Sequence, residues 1–487
     1  MKKLKWLIAA LVISFGPQVI AATISWTNSG TGDWITPANW SSGALPVSPD
    51  DARITNGGIA VIESPQEVST GSITVGDVLG TTGTVRVLGG KLTTLNSDIR
   101  IGGNAATAGG TGYFEQSGGI VTMSFGNLNI GFGHPAHGTY NLSGGSLIMN
   151  SPNAIVAVGN RGAGAITQTA GEFFVKVANG FVQLGRNVAT NTITPNGTYT
   201  LSGGSLAVGR LIFGDAVGTN GVQTNVFNLS GTGVVRAGTV YVKNTTASNY
   251  FNFTGGTLLT TNIGFPLRNS GGILNPTFFD FGNAAATNTE TMVSNSIATL
   301  TISSNASTSY IQEPGGTLAI DIAGPGINDM LNLGAGAPVG DVTLRGQIVV
   351  NLLNNYDPGE GTTFDIVIAD NLTNNAAIVG RTPSGRSFAP LLEFLGDDRA
   401  VLRLYVVETP SPVVLNNPVI LPDGAFQFTF TNLSGSTFTA LSTTNIALPS
   451  LYWDVAGQVP ETSLGVFQVS VPNATSGPTR FYQVRFP

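Results

Sequence analysis

The residues that could do chemistry in this chain are few, and they are widely spaced. The only two histidines sit in His134-Pro135-Ala136-His137. A zinc site needs three or four ligands, and the nearest acids, Glu115 and Glu172, belong to neighbouring copies of a repeat rather than to this loop. Pro135 also opposes a helix that would put both rings on one side, so the pair reads as a solvated loop. The carboxylates Asp77, Asp98, Glu115, Glu172 and Asp215 would suit polysaccharide cleavage if two of them faced each other about 5 Å apart, or if a calcium ion joined them beside a basic residue. They fall in different columns of the repeat, mostly one per copy, and no catalytic cluster is expected. Asn328-Asp329 and Asp397-Asp398 read as turn chemistry. The Asp ladder of a calcium-binding nonapeptide repeat is missing, so no metal or cofactor is expected. Trp26, Trp34 and Trp40 lie close together near the start. They suit either an aromatic platform for sugar rings or a plug over the open end of a stacked structure, and the plug is the more general need.

The elements that must hold these residues are set by a repeat, clearest in GTYNLSGGSL at 138–147 and GTYTLSGGSL at 197–206. Aligned copies give one apolar column, Val85, Phe114, Tyr140, Ile166, Tyr199, Phe227 and Phe251. Two residues on comes a second, Val87, Gln116, Leu142, Gln168, Leu201, Leu229 and Phe253. Between them stand Arg86, Glu115, Asn141, Thr167, Thr200, Asn228 and Asn252. Apolar, polar, apolar is a strand with one wet face. Gln116 and Gln168 interrupt the second inward column, and each must find an internal partner, because an unpaired buried amide costs on the order of 1–3 kcal/mol.

After each strand comes a glycine pair or a degraded one, such as Gly118-Gly119 or Gly144-Gly145, as a sharp corner requires. An apolar residue then returns at Leu92, Val121, Leu147, Phe173, Leu206, Val234 and Leu258. A further apolar-Gly pair closes each unit, for example Ile130-Gly131 and Val158-Gly159. Three short strands and two corners, repeating at spacings too short for propeller blades, describe a β-solenoid whose coils bury a core only by stacking. The crossover rule makes it right-handed. Loops 187–196 and 215–224 absorb the variation in repeat length.

The chain has 487 residues, 65 of them Gly, with only 10% charged and a net charge of −6. The 21 basic residues are scattered, which excludes a nucleic-acid partner. There is no cysteine, hence no disulfide or thiolate metal site. Lys2, Lys3 and Lys5 precede the apolar run Trp6 to Phe15 and the small-residue end Ala21-Ala22, which is the pattern of a secretory signal peptide cleaved near Ala21/Ala22. No later stretch is long enough for a transmembrane helix.

The Trp34-x5-Trp40 opening and the YNLSGGSL…VGN units resemble the β-strand repeats associated with autotransporter passengers in secreted bacterial surface proteins. The resemblance spans roughly residues 23–407 and implies a β-helix displayed outside the cell with adhesive or structural duty. Unlike full autotransporters, the last 80 residues are too few for a membrane barrel. From residue 311 the strands lengthen (Thr317–Ile322, Asp341–Leu353, Thr363–Ala369, Ala400–Val407), and GGTLAIDIAGPGINDMLNL resembles the closing unit of those passengers. After Thr409-Pro410-Ser411-Pro412, short strands divided by turns predict a small sandwich, similar to immunoglobulin-like or fibronectin type III-like modules.

The expected organisation is therefore all-β: a right-handed parallel β-helix (β-solenoid) followed by a small β-sandwich. It divides into a signal peptide (1–21), an N-terminal cap (22–66), solenoid repeats (67–310), a C-terminal stack or cap (311–408), a linker (409–412) and a sandwich (413–487). The expected role is that of a secreted or cell-surface adhesin-like or structural protein, without catalytic activity, that offers a Ser/Thr/Asn face to extracellular glycans or surface proteins. A polysaccharide-binding or polysaccharide-degrading β-helix (lyase or hydrolase) is the rival reading.

Overall fold

A computed structural model describes residues 21–105, 108–186, 195–215, 223–279, 293–295, 297–303, 308–333, 340–395, 399–408, 413–472 and 479–486. Most of the candidate signal peptide, residues 187–194 and 216–222 of the two loops, Asp397-Asp398 and the Thr409–Pro412 linker lie outside them. The chain divides into two compact units: residues 1–353, 365–379 and 392–403, and residues 354–364, 380–391 and 404–487.

The chain forms a parallel β-solenoid of about 11 turns, on which the first unit is built. Each regular coil sends one strand into a 13-stranded sheet and two into a second, larger sheet. In the first sheet Val85, Phe114, Tyr140, Ile166, Tyr199, Phe227 and Phe251 oppose one another coil by coil, as the aligned repeats require. The same register superimposes Val87, Gln116, Leu142, Gln168, Leu201, Leu229 and Phe253. Both columns face the core, and Phe114, Tyr140, Tyr199 and Phe227 are wholly buried. Stacked rings at Phe114 and Tyr140 (centroids 4.8 Å apart) and at Phe227 and Phe251 (5.4 Å) continue the column from coil to coil. Each such side chain contributes roughly 1.5–3 kcal/mol by leaving water, but only when a neighbouring coil is present to cover it.

Glycine is required at the corners for two separate reasons. Gly145 has φ +76°, and a Cβ there would lie 2.3 Å from the Gly119 carbonyl oxygen of the preceding coil. Gly131, at the other corner, has φ +68°, and its Cβ would lie 2.3 Å from the Ala163 oxygen of the next. The first reason is the left-handed backbone; the second is that successive coils approach closely enough to leave no room for a methyl group.

Two boundaries differ from the sequence expectation. The inward residue after the sixth corner is Val235, not Val234: Val235 pairs with Leu206 and Leu258 and is wholly buried, while Val234 pairs with Ser205 and Thr257. The corner Gly231-Thr232-Gly233 holds one extra residue, with Gly233 N–H bonded back to Ser230 O at 3.1 Å, and this shifts the alternation by one. Likewise Asp341–Leu353 is not one strand. It is Asp341–Leu344 in the first sheet and Gln347–Leu352 in the second, divided at Gly346, whose φ is +72°. The single-glycine corner hid the same coil geometry, and the pairing of Leu267–Asn269, Thr308–Gln312, Asp341–Leu344 and Leu372–Asn374 continues the 13-stranded sheet.

In the second unit, antiparallel strands form a four-stranded sheet (Asn416–Ile420, Phe426–Thr431, Val466–Val471, Glu461–Ser463) and a three-stranded one (Asp454–Val459, Phe438–Thr443, Phe481–Arg485). Phe428, Phe430, Phe467 and Val469 of the first meet Phe438, Ala440 and Val459 of the second in one buried cluster, so the two sheets make a small sandwich. Asn416–Ile420 and Glu461–Ser463 carry almost no buried residue, which explains why alternation in the sequence does not reveal them.

Candidate functional site

The solenoid acids that could have done chemistry are committed to partners. Asp51 accepts hydrogen bonds from Ser72 Oγ at 2.7 Å and Thr74 Oγ1 at 3.1 Å, and pairs with Arg53 Nη2 at 3.1 Å. The other arm of Arg53 holds Asp77 at 3.0 Å. Asp98 accepts from Asn127 N–H at 2.8 Å and from Asn129 Nδ2 at 3.0 Å, with Arg100 at 3.6 Å. Asn160 Nδ2 continues the lattice by donating to Asn129 Oδ1 at 2.7 Å. Glu115 is held by Arg86 Nε at 2.7 Å, and Asp215 by Lys243 Nζ at 2.7 Å. Glu172 is engaged as well. Buried polar groups need such partners; each link here joins neighbouring coils or residues near one corner. A carboxylate locked to a guanidinium is poorly placed to trade protons or to attack a sugar carbon.

Asp329 is different in kind. It is wholly buried, and its two oxygens accept from the backbone N–H groups of Ala298 (2.8 Å) and Asp321 (2.9 Å). Burial drives its pKa up to about 8, against the lowering effect of those two hydrogen bonds. A shifted carboxyl can mark a catalytic acid, but this one faces backbone in the hairpin between Thr317–Gly324 and Met330–Asn332, so it fixes a turn. Asn328 belongs to the same turn, with Nδ2 donating to Asp329 O and Asp365 O, each at 2.8 Å.

His134 and His137 are both exposed, His134 in the turn and His137 at the start of the strand His137–Leu142, with Ala136 buried between them. Among the described residues no three His, Cys, Asp or Glu side chains gather as metal ligands. Trp26, Trp34 and Trp40 pack edge to face, with centroids 4.9 and 4.8 Å apart, and Trp40 Nε1 donates to Trp34 O at 2.7 Å. At 1–2% exposure their rings leave no open face on which a sugar could stack.

The two inward glutamines are parts of a larger device that sequence reading missed. Gln116 Nε2 donates to the Ser146 carbonyl at 3.0 Å, and its Oε1 accepts from the Tyr140 hydroxyl at 2.6 Å. Gln168 repeats this with Ser205 (3.0 Å) and Tyr199 (2.6 Å). In the same column Asn269 donates to the Gly272 and Thr317 carbonyls, and Gln312 donates to the Gln347 carbonyl and accepts from Tyr310. The recurrence of Tyr one coil after Gln was the available signal. Burial raises the Tyr140 and Tyr199 pKa values well above the ordinary phenol range.

What remains open is the outward side of the 13-stranded sheet. From the third repeat to the seventh its rows are Thr139, Ala165, Thr198, Val226, Tyr250, then Asn141, Thr167, Thr200, Asn228, Asn252, then Ser143, Thr169, Ser202, Ser230, Thr254. None is charged. Asn252 Nδ2 donates to Asn228 Oδ1 at 2.8 Å and Asn228 Nδ2 to Thr200 Oγ1 at 3.1 Å, so the middle row is partly self-ordered. Strand spacing sets such rows about 4.8 Å apart.

No protein-family model matches the chain, and no curated protein compared with it is similar. No helix among the described residues is long and apolar enough to cross a membrane.

Proposed function

We propose that this is a non-enzymatic, adhesin-like or structural β-helix protein acting outside the cell. In this reading it is a passenger-type solenoid with an immunoglobulin-like or fibronectin type III-like module behind it. The observation that supports the reading best is the uncharged outward face running from Thr139 to Thr254. Hydroxyl and amide groups at fixed intervals make many weak contacts, which add through multivalency when a partner also repeats. Extracellular glycans and surface proteins are such partners. The pairing of the solenoid acids supports a role without catalysis, because glycoside cleavage needs two carboxyl groups at defined separation and free to act.

The test is a binding panel of neutral and acidic polysaccharides and isolated cell envelopes, run with the full chain and with Thr167→Asp/Asn228→Asp. Retention that falls at least tenfold in the double variant supports the reading. Release of new chain ends from any polysaccharide would replace it with the degrading enzyme. Recovery of an exported chain beginning at Ala22 or Thr23 would support the extracellular placement.

A further inference from the structure

Away from the uncharged face, Arg161 and Arg186 lie on adjacent coils at the corner between the two sheets, and Arg210 of the following coil stands in the second sheet opposite Phe181, its Nη2 donating to Asn179 O at 2.6 Å. Arg161 N–H donates to Arg186 O at 2.9 Å, and Asn160 opposes Arg186 in the pairing, so Arg161 and Arg186 lie one strand spacing apart. The Arg186 guanidinium lies 5.7 Å from the centre of the Phe181 ring and that of Arg210 lies 5.2 Å from the same centre. Arg161 stands 5.7 Å from Phe132.

The lack of a direct ion pair sets Arg161 and Arg186 apart. Among the described residues Arg53, Arg86 and Arg100 are each in an ion pair, whereas neither Arg161 nor Arg186 has a carboxylate partner. The nearest acid in the pairing scheme, Asp215, is held by Lys243 at 2.7 Å. Segments 187–194 and 216–222, which follow Arg186 and Asp215, contain no Asp or Glu. Arg161 Nε and Arg210 Nε are buried without a hydrogen-bond acceptor. Burial, and the like charge of Arg161, hold the Arg186 pKa below the ordinary guanidinium value, against the pull of Asp215 and Asp98. An unpaired, half-buried guanidinium is costly, and an incoming oxyanion would relieve that cost.

We infer that Arg161 and Arg186 form an oxyanion site that takes the carboxylate or sulfate groups of an acidic polysaccharide, with Arg210 and the Phe132 and Phe181 rings beside it. Planar guanidinium forks match carboxylate and sulfate oxygens in pairs. The cations recur from coil to coil, which suits a polymer charged at each repeat, while the rings give an apolar floor. Nucleic acid also repeats its charge, but the chain carries a net charge of −6 and its basic residues are scattered. The site lies off the uncharged face and goes beyond the adhesive reading.

The experiment measures binding of the full chain to polygalacturonate, dextran sulfate, unsubstituted dextran and single-stranded DNA. Binding of one or both acidic polysaccharides is expected, weakening with salt and falling at least tenfold in Arg161→Gln/Arg186→Gln, with dextran unbound. The arm that binds distinguishes a carboxylate from a sulfate source. In the unaltered chain the bound polymer should shield Arg161 and Arg186 from phenylglyoxal, read by mass spectrometry, which does not depend on the variant folding. No binding of either acidic polymer, equal binding by the double variant, unshielded arginines, or preference for DNA would each overturn the proposal. The adhesive reading would survive those results, because its own test uses Thr167 and Asn228.

Discussion

At the scale of single residues, the most informative side chains are buried polar ones. Gln116 joins the Tyr140 hydroxyl to the Ser146 carbonyl inside the core, so Gln116→Leu strands a buried hydroxyl and should cost about 1–3 kcal/mol. Gln116→Leu/Tyr140→Phe should recover most of that loss in chemical unfolding. The chain already contains the apolar version, because Leu201 and Phe227 occupy the positions corresponding to Gln116 and Tyr140, each three repeats further on. Asp329 makes a prediction in pH. Its folded pKa of about 8 lies above the ordinary 3.8, so the stability it contributes is complete below the ordinary value and is lost as pH rises through about 8. Asp329→Asn cannot ionise, so its melting temperature should gain on the unaltered protein's between about pH 5 and about pH 9. The inward columns were legible because apolar residues recur in register. That Gln116 and Gln168 need partners was also legible, but the partners were not: Ser146 and Ser205 contribute backbone carbonyls, which leave no trace in side-chain identity. Arg161 and Arg186 were illegible for another reason, since unpaired charge is a property of neighbours in space.

At the scale of elements, the coil is a strand, a glycine corner and two further strands, and its corners are the least forgiving positions. Gly131 has φ +68° and no room for a Cβ, while Gly80 has φ +85° and open space around it. Gly80→Ala should therefore cost only the left-handed backbone penalty of about 1–2 kcal/mol. Gly131→Ala should cost roughly 3 kcal/mol or more, because the next coil must also move away. Thermal melts of the two variants side by side check the difference. Paired glycines made these corners visible at 89–90 through 255–256. Where a corner kept a single glycine, at Gly346, or gained a residue, at Gly231-Thr232-Gly233, the sequence pattern lost the boundary or slipped by one. The Trp26, Trp34 and Trp40 cluster shows the same limit: three indoles in a short stretch announce an aromatic group, but burial decides whether it offers a surface.

At the scale of the whole molecule, the solenoid is quasi-one-dimensional, each coil covered by its neighbours, and the sandwich has a separate core of its own. The acids, the amide clasps and the uncharged rows all acquire their meaning from one fact, that equivalent residues of successive repeats lie one above another. The absence of native cysteine lets paired spin labels be introduced without background. Thr84, Thr198 and Tyr250 occupy one outward row, with Thr198 four strands and Tyr250 six strands from Thr84. Pulsed dipolar spectroscopy should give about 19 Å between labels at positions 84 and 198 and about 29 Å between 84 and 250, rising by about 4.8 Å per coil. Separations that do not grow with the number of intervening repeats would contradict the stacked register and everything argued from it.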